Sequence, residues 1–110
     1  MKVIGNEFTA IIDRPIGYIH HDYPNTVYPI NYGYIEGIIA GDGMYQDVYI
    51  LGVEHPITNF TGTLIAIIKR INDCEDKWVL APIDTVFTEE TIRNAVHFQE
   101  KYFDIDIIIK

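Results

Sequence analysis

The chain has 110 residues, of which 48% are hydrophobic and 22% charged, so it can bury one core and is too apolar to be disordered. Eight Lys and Arg against 16 Asp and Glu give a formal net charge of −8, which argues against a nucleic-acid-binding protein or a basic membrane-surface helix. Its longest apolar run, Leu64 to Ile68, is far shorter than the roughly 20 residues of a membrane span. The single cysteine, Cys74, excludes an internal disulfide. We therefore expect a soluble, cytoplasmic domain that spans residues 1–110.

Most of the chain is predicted to form strands, because β-branched and aromatic residues recur throughout it. In chain order, the predicted elements are a strand at 8–12, a Pro- and Gly-rich loop to residue 29, a strand at 32–39, a turn at 40–43, a return strand at 46–51, a hairpin with strands at 62–70 and 77–81, and a strand-like tail at 105–109.

One segment near the C-terminus is predicted to be a helix. Thr88 can cap it, and Glu89 and Glu90 suit its positive first turn. The residues that repeat at helical spacing are Ile92, Ala95, Val96, Gln99, Tyr102 and Phe103. About five short strands and one helix predict a mainly β fold, a small, strongly bent β-barrel with the helix packed against it.

The segment from Asp42 to Asp47 contains the first candidate site. A tight Asp-Gly turn brings its two carboxylates toward the same edge of the sheet. Two carboxylates on a rigid backbone form a hard-oxygen site that suits Mg²⁺ or Mn²⁺. An Asx turn at Asp42 with a solvated charge at Asp47 is the simpler alternative when this segment is considered alone.

The segment upstream of this turn makes the pattern specific. Residues Tyr28–Ile35 read Tyr-Pro-Ile-Asn-Tyr-Gly-Tyr-Ile, and seven residues later follows Asp-Gly-x-x-x-Asp-Val. This combination resembles the signature of the family I soluble inorganic pyrophosphatases. The acidic stretch before Val79-Leu80-Ala81-Pro82 and the segment from His97 to Tyr102 resemble later parts of that family in the same order.

The resemblance implies a distorted, five-stranded, OB-like barrel that hydrolyses inorganic diphosphate to two phosphates with Mg²⁺, with Mn²⁺ as an alternative. It assigns the protein to phosphate metabolism and makes diphosphate its small-molecule partner. By position, it implies catalytic and metal-binding roles for Asp42 and Asp47, further metal ligands at Asp73 and Glu75, and substrate contacts from Tyr32, Lys77 and Tyr102. Divalent ions would reconcile the acidic chain with an anionic substrate.

Several positions depart from the family pattern. Met44 stands where the family has the carboxylate that activates water, and Phe103 stands where it has a lysine. The N-terminal third is compressed, so Arg14 is assigned to the substrate as a replacement for a lost cation. The cations near the predicted site are Arg14, Lys69, Arg70 and Lys77.

His20 and His21, next to Asp22, offer a second candidate chemistry. They are either a metal-binding pair or an acid–base group near neutral pH. Adjacent histidines in a strand point to opposite faces, so joint ligation requires a turn.

Two functions remain open from the sequence. The first is Mg²⁺-dependent hydrolysis of diphosphate, and the chain contains no serine that would support a Ser-His-Asp triad instead. The second is a non-catalytic module on the same barrel that binds a phosphorylated metabolite or a protein, as Met44 and Phe103 suggest. Neither nucleic acid nor membrane is expected as a partner, whereas self-association is compatible with the exposed Ile and Tyr content.

Overall fold

The computed structural model describes residues 4–109, so residues 1–3 and 110 of the expected domain lie outside the described part. Along the chain it contains β1 (Glu7–Arg14), β2 (Asn31–Ile39), β3 (Tyr45–Ile50), β4 (Asn59–Arg70), β5 (Asp76–Ala81), α1 (Glu89–Glu100) and β6 (Ile105–Ile108). Each predicted strand and the predicted helix are present, with ends that differ by a few residues.

Five strands close into a barrel, which confirms the predicted fold class. The sheet order is β1-β2-β3-β5-β4-β6, and β1 also pairs with β4 to close the ring. All pairs are antiparallel except β3 with β5, which run parallel. Strand β4 closes the ring, because its first residues pair with β1 and its later residues pair with β5; its second half also pairs with β6. The sixth strand therefore lies outside the barrel ring.

Two apolar clusters form the core. One fills the barrel and includes Val48, Leu64 and Trp78, while the other lies between the sheet and α1 and includes Tyr49, Ile68 and Ile92. Strand β5 contributes to both clusters, because Lys77–Ala81 is buried on both faces. This burial explains why β5 is an almost continuous apolar run.

Gly33 allows β1 and β2 to approach each other closely. A Cβ at this position would collide with the backbone carbonyl oxygen of Ile11 on the paired strand. Glycine is therefore required by packing here, as the glycine within the predicted strand suggests. The pairing of β1 with β2 also shifts register between Ile12 and Arg14, which marks an irregularity at the end of β1.

Helix α1 begins as predicted and ends earlier than its periodicity suggests. Thr88 is the N-cap, and its hydroxyl accepts a hydrogen bond from the Thr91 amide at 3.1 Å. The helix ends at Glu100, where the amide of Phe103 donates to the Glu100 carbonyl in a turn that leads into β6. Tyr102 and Phe103 therefore lie beyond the helix. In residues 4–109 no helix is long and apolar enough to cross a membrane.

Candidate functional site

A cavity of about 500 Å³ lies among the loop after β1, the strands β2, β3 and β5, and the end of α1. Three of the chain's eight Lys and Arg residues line it: Arg14, Arg70 and Lys77. Asp47, Tyr32 and Tyr102 line it as well. An acidic protein therefore gathers cations at one concave site, which is the composition expected of an anion-binding cavity.

Lys77 lies at the centre of the first charged cluster. Its side chain is only 4% exposed, and its Nζ donates to Asp47 Oδ2 at 2.7 Å and to the Tyr32 hydroxyl at 2.9 Å. Glu75 Oε2 lies 3.1 Å from the same nitrogen. A lysine ammonium has three N–H donors, so these three partners satisfy it fully. Strand β5 fixes the base of this side chain within the barrel wall.

Arg70, at the end of β4, is the centre of a second charged cluster. Its Nη2 and Nε bond to the two carboxylate oxygens of Glu100 at 2.7 and 3.0 Å, a bidentate arrangement that fixes the guanidinium plane. Its Nη1 donates to Glu75 Oε1 at 3.0 Å. The guanidinium lies 3.7 Å from the centroid of the Phe103 ring. Phe103 carries no charge of its own, but its ring stabilises the positive charge of Arg70.

Arg14, at the end of β1, is the third cation that lines the cavity. Its Nη1 donates to the Tyr28 hydroxyl at 2.6 Å, and its guanidinium lies 5.7 Å from the centroid of the Tyr32 ring. Burial on its own would lower the pKa of Arg14, but the hydrogen bond and the nearby phenols raise it overall, so the charge is retained. The register shift at the end of β1 positions this residue next to the cavity.

A chain of hydrogen bonds connects the two arginines through the last turn of α1. The Tyr28 hydroxyl, which accepts from Arg14, donates to Gln99 Oε1 at 2.8 Å, and Gln99 Nε2 donates to the Tyr49 hydroxyl at 2.7 Å. Tyr49 donates in turn to Glu100 Oε2 at 2.6 Å, the oxygen that also accepts from Arg70. Gln99 and Glu100, consecutive residues of α1, therefore hold the two arginines in place. Gln99 holds Arg14 through Tyr28, and Glu100 bonds to Arg70 directly.

Burial keeps the phenols of this region un-ionised. Desolvation raises the pKa of Tyr32 and of Tyr49 well above 10, and the negative charges of Asp47 and Glu100, respectively, raise them further. Both hydroxyls are therefore available as hydrogen-bond donors at neutral pH.

The carboxylates near Lys77 crowd one another. Burial raises the pKa of Glu75, and its contact with Asp42 and the charge of Asp47 add to this effect against the opposing influence of Lys77. The Met44 amide lowers the pKa of Asp42, and the contact with Glu75 lowers it further. Lys77, which shares Glu75 with Arg70, therefore faces more negative charge than it neutralises, and a divalent ion would reduce this excess.

The predicted site residues are not all equally close to the cavity. Arg14, Tyr32, Asp47, Lys77 and Tyr102 line it, which brings together residues from five separate parts of the sequence. The predicted ligands Asp42, Asp73 and Glu75 lie behind or beside this lining.

Each of these three carboxylates is engaged at the rim. Asp42 on the β2–β3 turn contacts Glu75, which bridges Lys77 and Arg70, and Asp73 Oδ2 lies 3.6 Å from Arg70 Nη1. Met44 is exposed on the same turn and is not part of the lining.

The carboxylates fit a hard cation in their chemistry. Mg²⁺ in proteins usually keeps several waters and binds through one or two carboxylates, which Asp47, Glu75 and Asp42 can provide. Within residues 4–109, no group of three among the predicted ligands has donor atoms within 4.8 Å of one another. The donor set therefore suits a partly hydrated ion, not an enclosed cage of protein ligands.

Sequence reasoning missed two residues that organise this site. It counted Arg70 among the nearby cations without giving it a role, and it gave none to Glu100, although that residue is 2% exposed. A signal was present for Gln99, which is a polar residue on the otherwise apolar face of α1. A polar residue at a buried helical position requires a hydrogen-bonding partner, and the two tyrosines provide it.

The fold and the cavity together define a small closed β-barrel with a pocket lined by three cationic side chains beside a C-terminal helix. No profile of a known protein family matches the sequence.

Solved structures that superpose on this chain include inorganic pyrophosphatases. The structure from Ehrlichia chaffeensis superposes with a TM-score of 0.72 at 17% identity, covering 98% of this chain and 88% of that one. The structure from Coxiella burnetii gives 0.65 at 19% identity, covering 92% and 81%. That from Helicobacter pylori gives 0.62 at 15% identity, covering 100% and 88%. The chain therefore has the pyrophosphatase fold that the sequence resemblance predicts.

Proposed function

We propose that this protein hydrolyses inorganic diphosphate to two phosphates with the help of Mg²⁺. The observation that carries the proposal is the convergence of Arg14, Arg70 and Lys77 on one cavity of a barrel with the pyrophosphatase fold. A cavity of about 500 Å³ accommodates a small, highly charged anion together with water. The substrate is thus a small molecule, and a cytoplasmic location fits the exposed free thiol of Cys74.

In this proposal the arginines and Tyr32 bind phosphoryl oxygens. The guanidinium groups are pre-oriented by Tyr28 and Glu100, so little side-chain entropy is lost when the anion binds. Tyr32, with its raised pKa, donates a neutral hydrogen bond.

Lys77 makes anion binding dependent on the cation. Its three donors are already used by Tyr32, Asp47 and Glu75, so a phosphoryl oxygen must displace one of these partners. That exchange would leave a carboxylate unneutralised beside an anion, which is unfavourable unless another cation is present. In this proposal, Mg²⁺ would be held by one or two of the carboxylates of Asp42, Asp47 and Glu75 together with bound waters, with Asp73 at the rim, and would supply charge neutralisation and activation of the attacking water. Tight binding of diphosphate is therefore expected only with divalent metal.

The test is phosphate release from diphosphate by the purified protein, with and without Mg²⁺. The wild type should release phosphate only with the metal, and Asp47→Asn and Lys77→Gln should each lower the rate by about tenfold or more. Asp106→Asn is the matched control, because Asp106 is an exposed carboxylate on β6, outside the cavity lining.

Two outcomes would overturn the proposal. A wild-type rate equal to that of Mg²⁺ alone would exclude hydrolysis, and if calorimetry still detected diphosphate binding, the non-catalytic module would be the correct function. Equal rates in Asp47→Asn and Asp106→Asn would remove Asp47 from the site.

A further inference from the structure

A second cluster of potential metal ligands lies in the loop between β1 and β2. His20, His21 and Asp22 are the one group of three or more His, Cys, Asp or Glu residues in the described part of the chain whose donor atoms all lie within 4.8 Å of one another. None of these residues takes part in the charged clusters around Lys77 and Arg70. Unlike those clusters, this one contains two imidazoles and has no Lys or Arg bound to it.

The backbone of the loop is held in place by its own hydrogen bonds. Ile19 and Val27 form an antiparallel bridge, and the His20 amide donates to the Thr26 carbonyl at 3.0 Å. The amide of Tyr23 donates to the His20 carbonyl at 3.2 Å, which closes a turn over the three candidate ligands. Because the chain turns here, the side chains of His20 and His21 can approach the same ion, which adjacent residues of an extended strand cannot do.

The donor atoms are already arranged around a common point. His21 Nε2 lies 3.1 Å from Asp22 Oδ1, and His20 Nδ1 accepts the backbone N–H of Asp22 at 3.1 Å. The lone pair of His20 Nδ1 is occupied by the Asp22 N–H, which an ion would displace, and an ion between His21 and Asp22 would replace their direct contact. Ligands about 3.4 Å apart surround a zinc ion with bonds of 2.0–2.1 Å. The side chains of His21 and Asp22 are 76% and 63% exposed, so they are free to make the small movement that brings their donor atoms to the ion.

We propose that His20, His21 and Asp22 form a binding site for a transition-metal ion such as Zn²⁺ or Co²⁺ at the mouth of the cavity. Two imidazoles and one carboxylate select these borderline ions over Mg²⁺, which prefers oxygen ligands only. Three protein ligands leave at least one coordination position open.

The location of the site gives this open position a role. His20 lines the same cavity as Arg14 and Lys77, so the bound ion faces the space into which the anion enters. The open position would accept an anionic oxygen. If the proposed function is correct, this oxygen belongs to a phosphoryl group. Metal binding itself does not depend on that function.

The test measures Zn²⁺ binding calorimetrically in protein kept in excess Mg²⁺, which occupies sites that prefer hard cations. The wild type should bind one Zn²⁺, and His20→Ala and His21→Ala should each weaken binding by at least about tenfold. His55→Ala and His97→Ala are matched controls, since both residues are exposed and outside the loop, and they should leave binding unchanged. Substituting Co²⁺ should give visible absorption that the two loop variants lose.

The experiment also separates this proposal from the proposed function. Repeating the titration in Asp47→Asn should leave Zn²⁺ affinity unchanged, and no step of it requires hydrolysis. The proposal is overturned if the wild type binds no Zn²⁺, or if the loop variants bind it as tightly as the His55 and His97 variants. A loss of Zn²⁺ binding in His21→Ala cannot be explained by misfolding, because that side chain is 76% exposed.

Discussion

At the scale of single residues, Lys77 shows what a motif can and cannot specify. The family resemblance implies a substrate contact for this residue, and the structure places it in the cavity lining. The sequence does not indicate that Asp47 and Glu75, which are 30 and 2 positions away, would occupy two of its donors. That arrangement depends on the parallel pairing of β3 with β5, which brings Asp47 beside Lys77. The residue types are therefore predictable, whereas their ion pairing depends on the tertiary fold.

The buried phenols should make stability depend on alkaline pH. Because the folded state raises the pKa of Tyr32 and Tyr49, their contribution to stability is complete below about pH 10 and is lost as pH rises further. We expect these two phenols and that of Tyr28, which is equally buried and whose pKa burial also raises, to ionise only as the chain unfolds. Measuring tyrosinate absorbance and circular dichroism across an alkaline titration would show a late absorbance step that coincides with unfolding.

Two tyrosine variants sharpen this measurement. Tyr49→Phe should reduce the late step by about a third, because one of its three phenols is removed. Tyr23→Phe should leave it unchanged, since Tyr23 is exposed on the loop. A late step of equal size in both variants would contradict the assignment.

At the scale of secondary-structure elements, α1 is predictable as a helix but not as an organiser of the site. Its cap and its apolar stripe at Ile92 and Val96 follow from spacing, and the structure confirms both. Its final turn differs, because Gln99 and Glu100 face the barrel and bond to groups on β3, β4 and the loop before β2. Periodicity identifies which face is buried, but it does not reveal which distant side chains meet that face.

Replacing Gln99 should separate positioning of the arginines from simple stability. Gln99→Leu removes the link between Tyr28 and Tyr49, so we expect a loss of about 1 kcal/mol in the free energy of unfolding. We also expect diphosphate to bind several-fold more weakly in the presence of Mg²⁺, because the Tyr28 hydroxyl that contacts Arg14 loses the acceptor that orients it. Thermal unfolding and calorimetric titration measure the two effects separately.

Asn94→Leu provides the control for this variant, since Asn94 is an exposed amide on the same helix. It should change neither quantity by an amount comparable to Gln99→Leu. A Gln99→Leu protein that is less stable but binds diphosphate with unchanged affinity would show that Gln99 serves the fold alone.

At the scale of the whole molecule, the barrel is more predictable than its closure. Alternating apolar residues and turn signals locate the strands, and the family resemblance supplies their arrangement. The pairing of β1 with β4, which closes the ring, joins residues about 50 positions apart, such as Phe8 and Gly62. No local pattern encodes such a contact. The same holds for the cavity, because its walls come from both ends of the chain.

The distribution of charge over the molecule leads to the last prediction. The net charge is −8, and three of the eight cationic side chains are committed to the cavity, so the carboxylates repel one another over the remaining surface. Any salt should raise the melting temperature by screening this repulsion. Mg²⁺ should raise it further than NaCl of equal ionic strength, because an ion bound by Asp42, Asp47 and Glu75 stabilises only the folded state.

At about a hundredfold excess over the dissociation constant, such an ion contributes about 2.7 kcal/mol, which corresponds to a rise of about 10 °C in a domain of this size. Differential scanning fluorimetry with the two salts at matched ionic strength would measure the difference. Asp47→Asn should retain the response to NaCl and lose most of the extra response to Mg²⁺, whereas Asp106→Asn should retain both. Equal melting temperatures in the two salts for the wild type would show that Mg²⁺ acts by screening alone, since a site specific for the folded state must add to that effect.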